Sequence, residues 1–241
     1  MLDTMIATVV NALAVIAGSL VGLLLHARIR DSFKTIVSIG AGATSLIIGI
    51  QMALNSSKIV FLALSLIIGG ILGTWWRIEE GILALGGALK RTFAKKDEGK
   101  DFAFGFLNAS VLFCVGAMAL IGSFKAGAEG NYDLILTKSV MDGFMSIVFT
   151  AAMGIGVAFS ALSVLVYQGI LTLAAGWLKP LVSEPLLKEL TGVGGALVMM
   201  IGINLLGLAR VKTANFLPAL ILIVLLVAGE GLALSHHLLG L

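Results

Sequence analysis

Charge is scarce in this chain of 241 residues: Asp, Glu, Lys and Arg make up 12% of it, against about a quarter of an ordinary soluble domain. A surface so poor in charge cannot solvate a domain of this size. The apolar excess matches it, with 59% hydrophobic residues and a mean hydropathy of +1.09, more than one core can hide. A soluble enzyme is excluded. Cysteine occurs once, as Cys114 within an apolar stretch, so a disulfide framework cannot form. The first twenty residues hold Asp3 but no lysine or arginine, and no cleaved signal peptide is expected there; the segment reads as a first spanning helix. Metalloprotease, P-loop and dinucleotide fingerprints are missing, and no enzymatic activity or cofactor is expected. His236 and His237 are adjacent, about 100° apart on a helix, and lack the i, i+4 spacing of a metal pair.

What is present is a series of apolar stretches long enough to cross about 30 Å of hydrocarbon. The pattern predicts an all-α, polytopic transmembrane bundle with helices near 5–25, 33–54, 59–76, 103–124, 138–156, 158–178, 187–208 and 213–234. Taken as one straight helix, 138–179 would be about 60 Å long. A break near Gly154 and Gly156 gives eight spans, and without it there are seven. In the eight-span reading, eleven of the sixteen positive charges fall in the first, third, fifth and seventh connections. The net charge of +3 therefore reads as topology rather than as nucleic-acid binding, and both termini lie outside the cytoplasm. Within the polar stretch 77–101, Ile78, Ile82, Leu85, Leu89 and Phe93 recur at helical spacing opposite Glu79, Glu80, Lys90 and Arg91. This describes a cytoplasmic amphipathic helix on the membrane surface, followed by a solvated linker over 95–101.

An internal repeat is visible as well. Gly42-Ala43 and Ile48-Gly49-Ile50-Gln51 match Gly195-Ala196 and Ile201-Gly202-Ile203-Asn204 at one common offset. Ala12-Leu13 and Val15 pair with Ala161-Leu162 and Val164, and Phe61-Leu62 with Phe216-Leu217. The integral membrane domain, 1–241, then divides into a first repeat over 1–76, the linker over 77–101, central helices over 103–156 and a second repeat over 158–241. With eight spans the two three-helix repeats are inverted, as in many secondary transporters. The alternative is that apolar, glycine-rich helices resemble one another by composition.

The run Asn108-Ala109-Ser110-Val111-Leu112-Phe113-Cys114-Val115-Gly116-Ala117-Met118, followed by Thr137-Lys138-Ser139-Val140-Met141-Asp142-Gly143-Phe144 and Gly154-Ile155-Gly156-Val157, resembles the YdfK/YqgA family of bacterial inner-membrane proteins. Asn11, Gly18 and Gly40-Ala41-Gly42 also fit, so the likeness spans nearly the whole chain. The resemblance implies an inner-membrane, multi-pass architecture in a domain of unknown function often labelled a transporter, and it brings no substrate. A proline is common in that family where this chain has Ala117, so the helix break such a proline implies is not carried over.

An ionisable group at membrane depth is costly and is by default a functional candidate. Asp142 is the first. In a protein-lined cavity it can bind a cation or alternate between protonated and charged forms; alternatively it pairs with Lys138, four residues earlier, near a helix N-terminus. Gln51 and Asn204 hold equivalent positions in the two repeats, and with Asn11 and Asn108 they can line a polar route or simply bond helix to helix. Gly40 and Gly42, and Gly194 and Gly195, can let their helices unwind to expose backbone, or can serve close packing as Gly18 with Gly22 and Gly69 with Gly73 do. Glu230 snorkels to the interface, and Cys114 is a small packing residue. The expected function is a secondary transporter of a small solute or ion working by alternating access, with a gated channel or a non-transporting scaffold or sensor recruiting a partner through 77–101 as alternatives. Its partners are the lipid bilayer and that solute, without nucleic acid or metal, and small-residue faces suit a homo-oligomer.

Overall fold

The computed structural model describes residues 2–28, 31–93, 99–115, 117–178 and 183–239, and among these every regular element is helical. In chain order they are α1 (Leu2–Arg28), α2 (Asp31–Ala53), α3 (Ile59–Trp75), α4 (Ile78–Phe93), α5 (Gly99–Val115), α6 (Ala117–Glu129), α7 (Asp133–Met153), a 3-10 turn (Ile155–Phe159), α8 (Ser160–Leu178), α9 (Glu184–Leu205), a second 3-10 turn (Thr213–Phe216) and α10 (Pro218–Leu239). Six stretches are long and apolar enough to cross a bilayer unaided: Met5–Leu25, Thr35–Ala53, Asp133–Met153, Ile155–Trp177, Glu184–Leu205 and Thr213–Gly231. Two bent pairs, Ile59–Trp75 with Ile78–Ala84 at 55° and Phe102–Val115 with Met118–Glu129 at 58°, bring the number to eight when each pair is one span. The chain is an all-α, multi-pass membrane protein.

The turn between α7 and α8 falls where the glycines predict it. Gly154 closes α7 at φ 78°, a conformation that costs a side-chain-bearing residue strain. Gly156 lies so close to α5 that a methyl group there would be 2.0 Å from the Phe102 carbonyl oxygen. The expected single helix over 103–124, in contrast, is broken. Val115 ends α5 against Gly194 of α9, where an added methyl would meet the Val115 carbonyl oxygen at 2.8 Å. A close tertiary contact accompanies this break, and Ala117 stands where a proline would have marked it.

Glycine contacts also set the register between helices. On α1, methyl groups at Gly18 and Gly22 would fall 2.1 Å from the Gly143 oxygen and 2.4 Å from the Ile147 oxygen, so α1 and α7 run parallel. The crossing of α2 with α9 is antiparallel: Gly42 faces the Gly202 oxygen and Gly202 the Gly42 oxygen, while Gly49 faces the Gly195 oxygen and Gly195 the Gly49 oxygen. Gly69 and Gly73 of α3 seat Ala219 and Asn215 in the same way. These small-residue faces are therefore used inside the chain. The expectation that Gly40, Gly42, Gly194 and Gly195 unwind their own helices is corrected, because α2 and α9 run unbroken through all four. Three of them admit a neighbouring helix, whereas Gly40 faces open space.

The two ends of the bundle differ. At one, Glu189 is buried and accepts from Ser56 Oγ at 2.5 Å and from the backbone N–H groups of Ser57 at 2.9 Å and Lys58 at 3.1 Å, closing the α2–α3 turn. Lys58 also pairs with Glu230, so Glu230 has a partner within the chain rather than only the interface. At the other end, Lys212 bonds Glu80 at 2.5 Å and the Ala214 N–H donates to Glu79 at 3.1 Å. That hydrogen bond to Glu80 holds the Lys212 ammonium above the usual lysine range. Ile78, Ile82 and Leu83 of α4 pack against the protein core, so the helix expected on the membrane surface rests partly on its own chain. The side chains of Leu85, Leu89, Lys90, Arg91, Phe93, His236 and His237, and residues 94–98 of the expected linker, lie outside the described residues. The linker is shorter than expected, since α5 begins at Gly99.

Candidate functional site

Four polar side chains meet in the apolar interior where α1, α7 and α8 come together. Asp142 and Lys138 stand one turn apart on the buried face of α7 and form an ion pair there. Asn11 of α1 donates from Nδ2 to Asp142 Oδ2 at 3.0 Å and to Gln168 Oε1 of α8 at 3.1 Å. Parallel packing of α1 on α7 aligns the first contact, and the return of α8 beside α1 supplies the second. Val15 and Val164, both fully buried, flank this cluster on α1 and α8, so a polar group here has only other polar groups to bond.

The hydrogen bonding is unevenly distributed. Lys138 and Asn11 both donate to Oδ2 of Asp142, and among the described residues no hydrogen bond reaches Oδ1. Asn11 Oδ1 and Gln168 Nε2 are buried acceptor and donor without partners among the described residues. That orphaned pair is complementary. With both amides reversed, Gln168 donates to Asn11 and Asn11 accepts from a protonated Asp142, so the same residues can serve either state of the carboxyl group.

Asp142 and Lys138 also border a cavity of about 230 Å³ between α2, α5, α6, α7 and α9. Its other lining is apolar and rich in sulfur, with Met52, Met118, Met141 and Met145 around it. Phe113 of α5 presents its ring to Lys138 Nζ, 5.9 Å from the centroid. Met118 stands in the first turn of α6, directly after the break, so the cavity lies where a bent span meets a buried ion pair. Cys114 is half-buried and packs against the core beside this break, consistent with a packing role.

Of the residues expected at the site, the structure brings Asn11 to Asp142 and leaves the others elsewhere. Gln51 is exposed on the outer side of α2, and its backbone oxygen accepts from Asn55 Nδ2 at 2.9 Å. Asn204 holds the turn after α9: its Nδ2 donates to the Val211 oxygen at 2.8 Å and its Oδ1 accepts from the Val211 N–H at 2.7 Å. Asn108 is buried but donates to Phe104 of its own helix at 2.9 Å. The expected convergence of Gln51 and Asn204 on one cavity is thus corrected. A repeat makes two positions equivalent in sequence, but each amide takes the partner its own surroundings offer. Gln168, Phe113 and the methionines are residues the sequence reading missed. An amide near the middle of the otherwise apolar α8 was the available signal for Gln168. Lys138 was seen only as an alternative that neutralises Asp142, and the structure makes it part of the site.

Comparison with known proteins gives a family without an assigned activity. The model of a family described as protein of unknown function, DUF554, matches residues 6–228. The chain is 32% identical over 222 residues to the uncharacterized membrane protein YdfK of Bacillus subtilis (strain 168), covering 90% of this chain and 93% of the relative. It is 28% identical over 216 residues to the uncharacterized protein YqgA of Escherichia coli (strain K12), covering 88% and 92%. No solved structure matches.

Proposed function

The chain belongs to the DUF554 family of proteins of unknown function, and we propose that it is a secondary transporter moving a small solute or ion across the bacterial inner membrane by alternating access. The observation that carries this reading is the Lys138–Asp142 ion pair facing a cavity at the break between α5 and α6. Buried charge in a bilayer is costly, and interrupted helices near the middle of a membrane are where transporters build their sites. An ion pair that borders a cavity is accounted for more directly by a transport route than by a scaffold. No enzymatic step is part of the proposal.

The glycine contacts between α2 and α9 support a pair of inverted repeats over 1–76 and 158–241. The offset that matches Gly42 to Gly195 also matches Gly49 to Gly202. Applied to the Gly42–Gly202 contact, it yields the Gly195–Gly49 contact, which is present as well. Two antiparallel spans related in this way share a pseudo-two-fold axis in the membrane plane, as in transporters built from inverted repeats. The excess of basic residues in alternate connections supports a cytoplasmic Lys212 end with both termini outside the cytoplasm.

The test is flux in reconstituted vesicles. Protein-dependent solute or cation movement down an imposed gradient, abolished by Asp142→Asn in a variant that keeps its helical content, is the expected result. A channel would show discrete unitary currents, which the slow turnover of an alternating-access carrier does not produce. Absence of flux under every gradient, with a soluble partner captured by α4, would overturn the transport reading in favour of the scaffold.

A further inference from the structure

The cavity beside Asp142 constrains what it can hold. One carboxylate limits the charge of an occupant to a single positive unit. Among the described residues no group of three or more His, Cys, Asp or Glu could hold a metal ion, and hard cations need six or more oxygen ligands. Beyond Asp142 and Lys138 the lining offers thioethers, aliphatic carbons and the Phe113 ring. Such walls suit an apolar body carrying one ammonium head. Methionine adapts to apolar shapes, and an aromatic face attracts an ammonium. The volume of about 230 Å³ corresponds to roughly seven or eight waters at about 30 Å³ each, room for a small alkylamine.

The chain already demonstrates this chemistry on itself. Lys138 is a primary alkylammonium whose head lies between Asp142 and the Phe113 ring and whose side chain borders the cavity. Its bond to Asp142 falls on Oδ2, which it shares with Asn11, while Oδ1 receives no hydrogen bond among the described residues.

We infer that the cavity binds a small primary organic amine in its cationic form at Asp142, and that Lys138 is a tethered mimic of this ligand, holding the carboxylate when the amine is absent. The amine's N–H groups bond Asp142 and its carbon chain lies among Met52, Met118, Met141 and Met145. Since one carboxylate balances one cation, the amine and the Lys138 head compete, and the amine must overcome the cost of leaving that buried head without its anion, a cost that Lys138→Met removes. The inference rests on the transport reading for its use in the cell, but the binding site itself can be measured without transport.

The experiment is calorimetric titration of the purified full chain in lipid nanodiscs with n-butylammonium, with sodium, potassium and silver ions in parallel. Saturable one-to-one binding of n-butylammonium that Asp142→Asn abolishes is expected. Lys138→Met removes the internal competitor, and the amine should then bind at least tenfold tighter. Should Lys138→Met fold only when n-butylammonium is present during purification, that rescue supports the same competition. Phe113→Leu keeps both charges and serves as an independent variant, expected to weaken binding several-fold through loss of the ring face. Amine binding unaffected by Asp142→Asn, weakened by Lys138→Met, or absent while silver or sodium binds would overturn the inference. The two proposals fail separately: vesicles that carry sodium in an Asp142-dependent manner without amine binding refute only the ligand, whereas amine binding with no flux refutes only transport.

Discussion

Replacing Gly195 and Gly40 separately by alanine tests whether the glycines of α2 and α9 serve packing or unwinding. A methyl at Gly195 would lie 2.3 Å from the Ala53 backbone nitrogen and 2.6 Å from the Gly49 oxygen. Carbon contacts are comfortable at about 3.5 Å, so α9 must move away from α2 by about 1 Å. Both clashing atoms are backbone, so no rotamer change can relieve them. A gap of that size along the crossing forfeits a quarter to a half of the dispersion energy of the facing atoms, and overpacking of this kind costs about 1–3 kcal/mol. At Gly40 nothing stands within 4 Å of the added methyl, and alanine there gains up to about 1 kcal/mol of helix propensity. The two variants should therefore differ by about 1–4 kcal/mol. At roughly 2–4 °C per kcal/mol for a chain of this size, their melting temperatures in one detergent should lie about 2–16 °C apart, Gly40→Ala the higher. Thermal unfolding followed by size-exclusion fluorescence measures this directly. Equal melting temperatures, or Gly40→Ala as the more damaged variant, would refute the packing argument. A loss of flux in Gly40→Ala without loss of stability would restore an unwinding role for that glycine.

Three further outcomes follow from the polar contacts. Asp142→Asn leaves Lys138 buried without its anion and should destabilise the fold by about 3–5 kcal/mol, whereas Asp142→Leu with Lys138→Met should be nearly neutral; equilibrium unfolding in mild denaturant compares them, and additive losses would count against a paired site. Glu189→Gln weakens a charge-assisted cap on the α2–α3 turn and should cost about 1.5–3 kcal/mol, read as earlier hydrogen exchange at Ser57 and Lys58 than in the parent. For orientation, in a Cys114→Ala background a thiol placed by Asn55→Cys should react with an impermeant reagent on intact cells, and one placed by Arg210→Cys only after permeabilisation; the reverse pattern would invert the topology.

Much of the architecture can be read along the chain. The apolar stretches, the turn at Gly154 and the packing of Gly18 with Gly22 each depend on a few neighbouring residues, and each appears where its segment predicts it. The broken span does not. Residues 103–124 look like one apolar helix, yet the helix pair Phe102–Val115 and Met118–Glu129 is bent by 58°, with Gly194 of α9, more than seventy residues away, lying against Val115. The site divides in the same manner. Asp142 announces itself as a carboxylate in an apolar segment, and Lys138 is within reach by helical spacing alone. That Asn11 rather than Gln51, Asn108 or Asn204 bonds Asp142 follows from the rotation of α1 against α7, which no local signal encodes.

The sequence by itself therefore determined the class: a membrane-embedded, all-helical chain, its approximate spans, and the carboxylates, Asp142 first and Glu230 second, whose depth needs explaining. Hydrophobicity accumulates residue by residue, so a linear reading captures it. Only the tertiary structure decided which polar side chains meet, where a span bends, and that Lys138 and Asp142 face a methionine-lined cavity. Those outcomes depend on the rotation and register of helices brought together by glycine contacts, and each contact is settled by both of its surfaces at once.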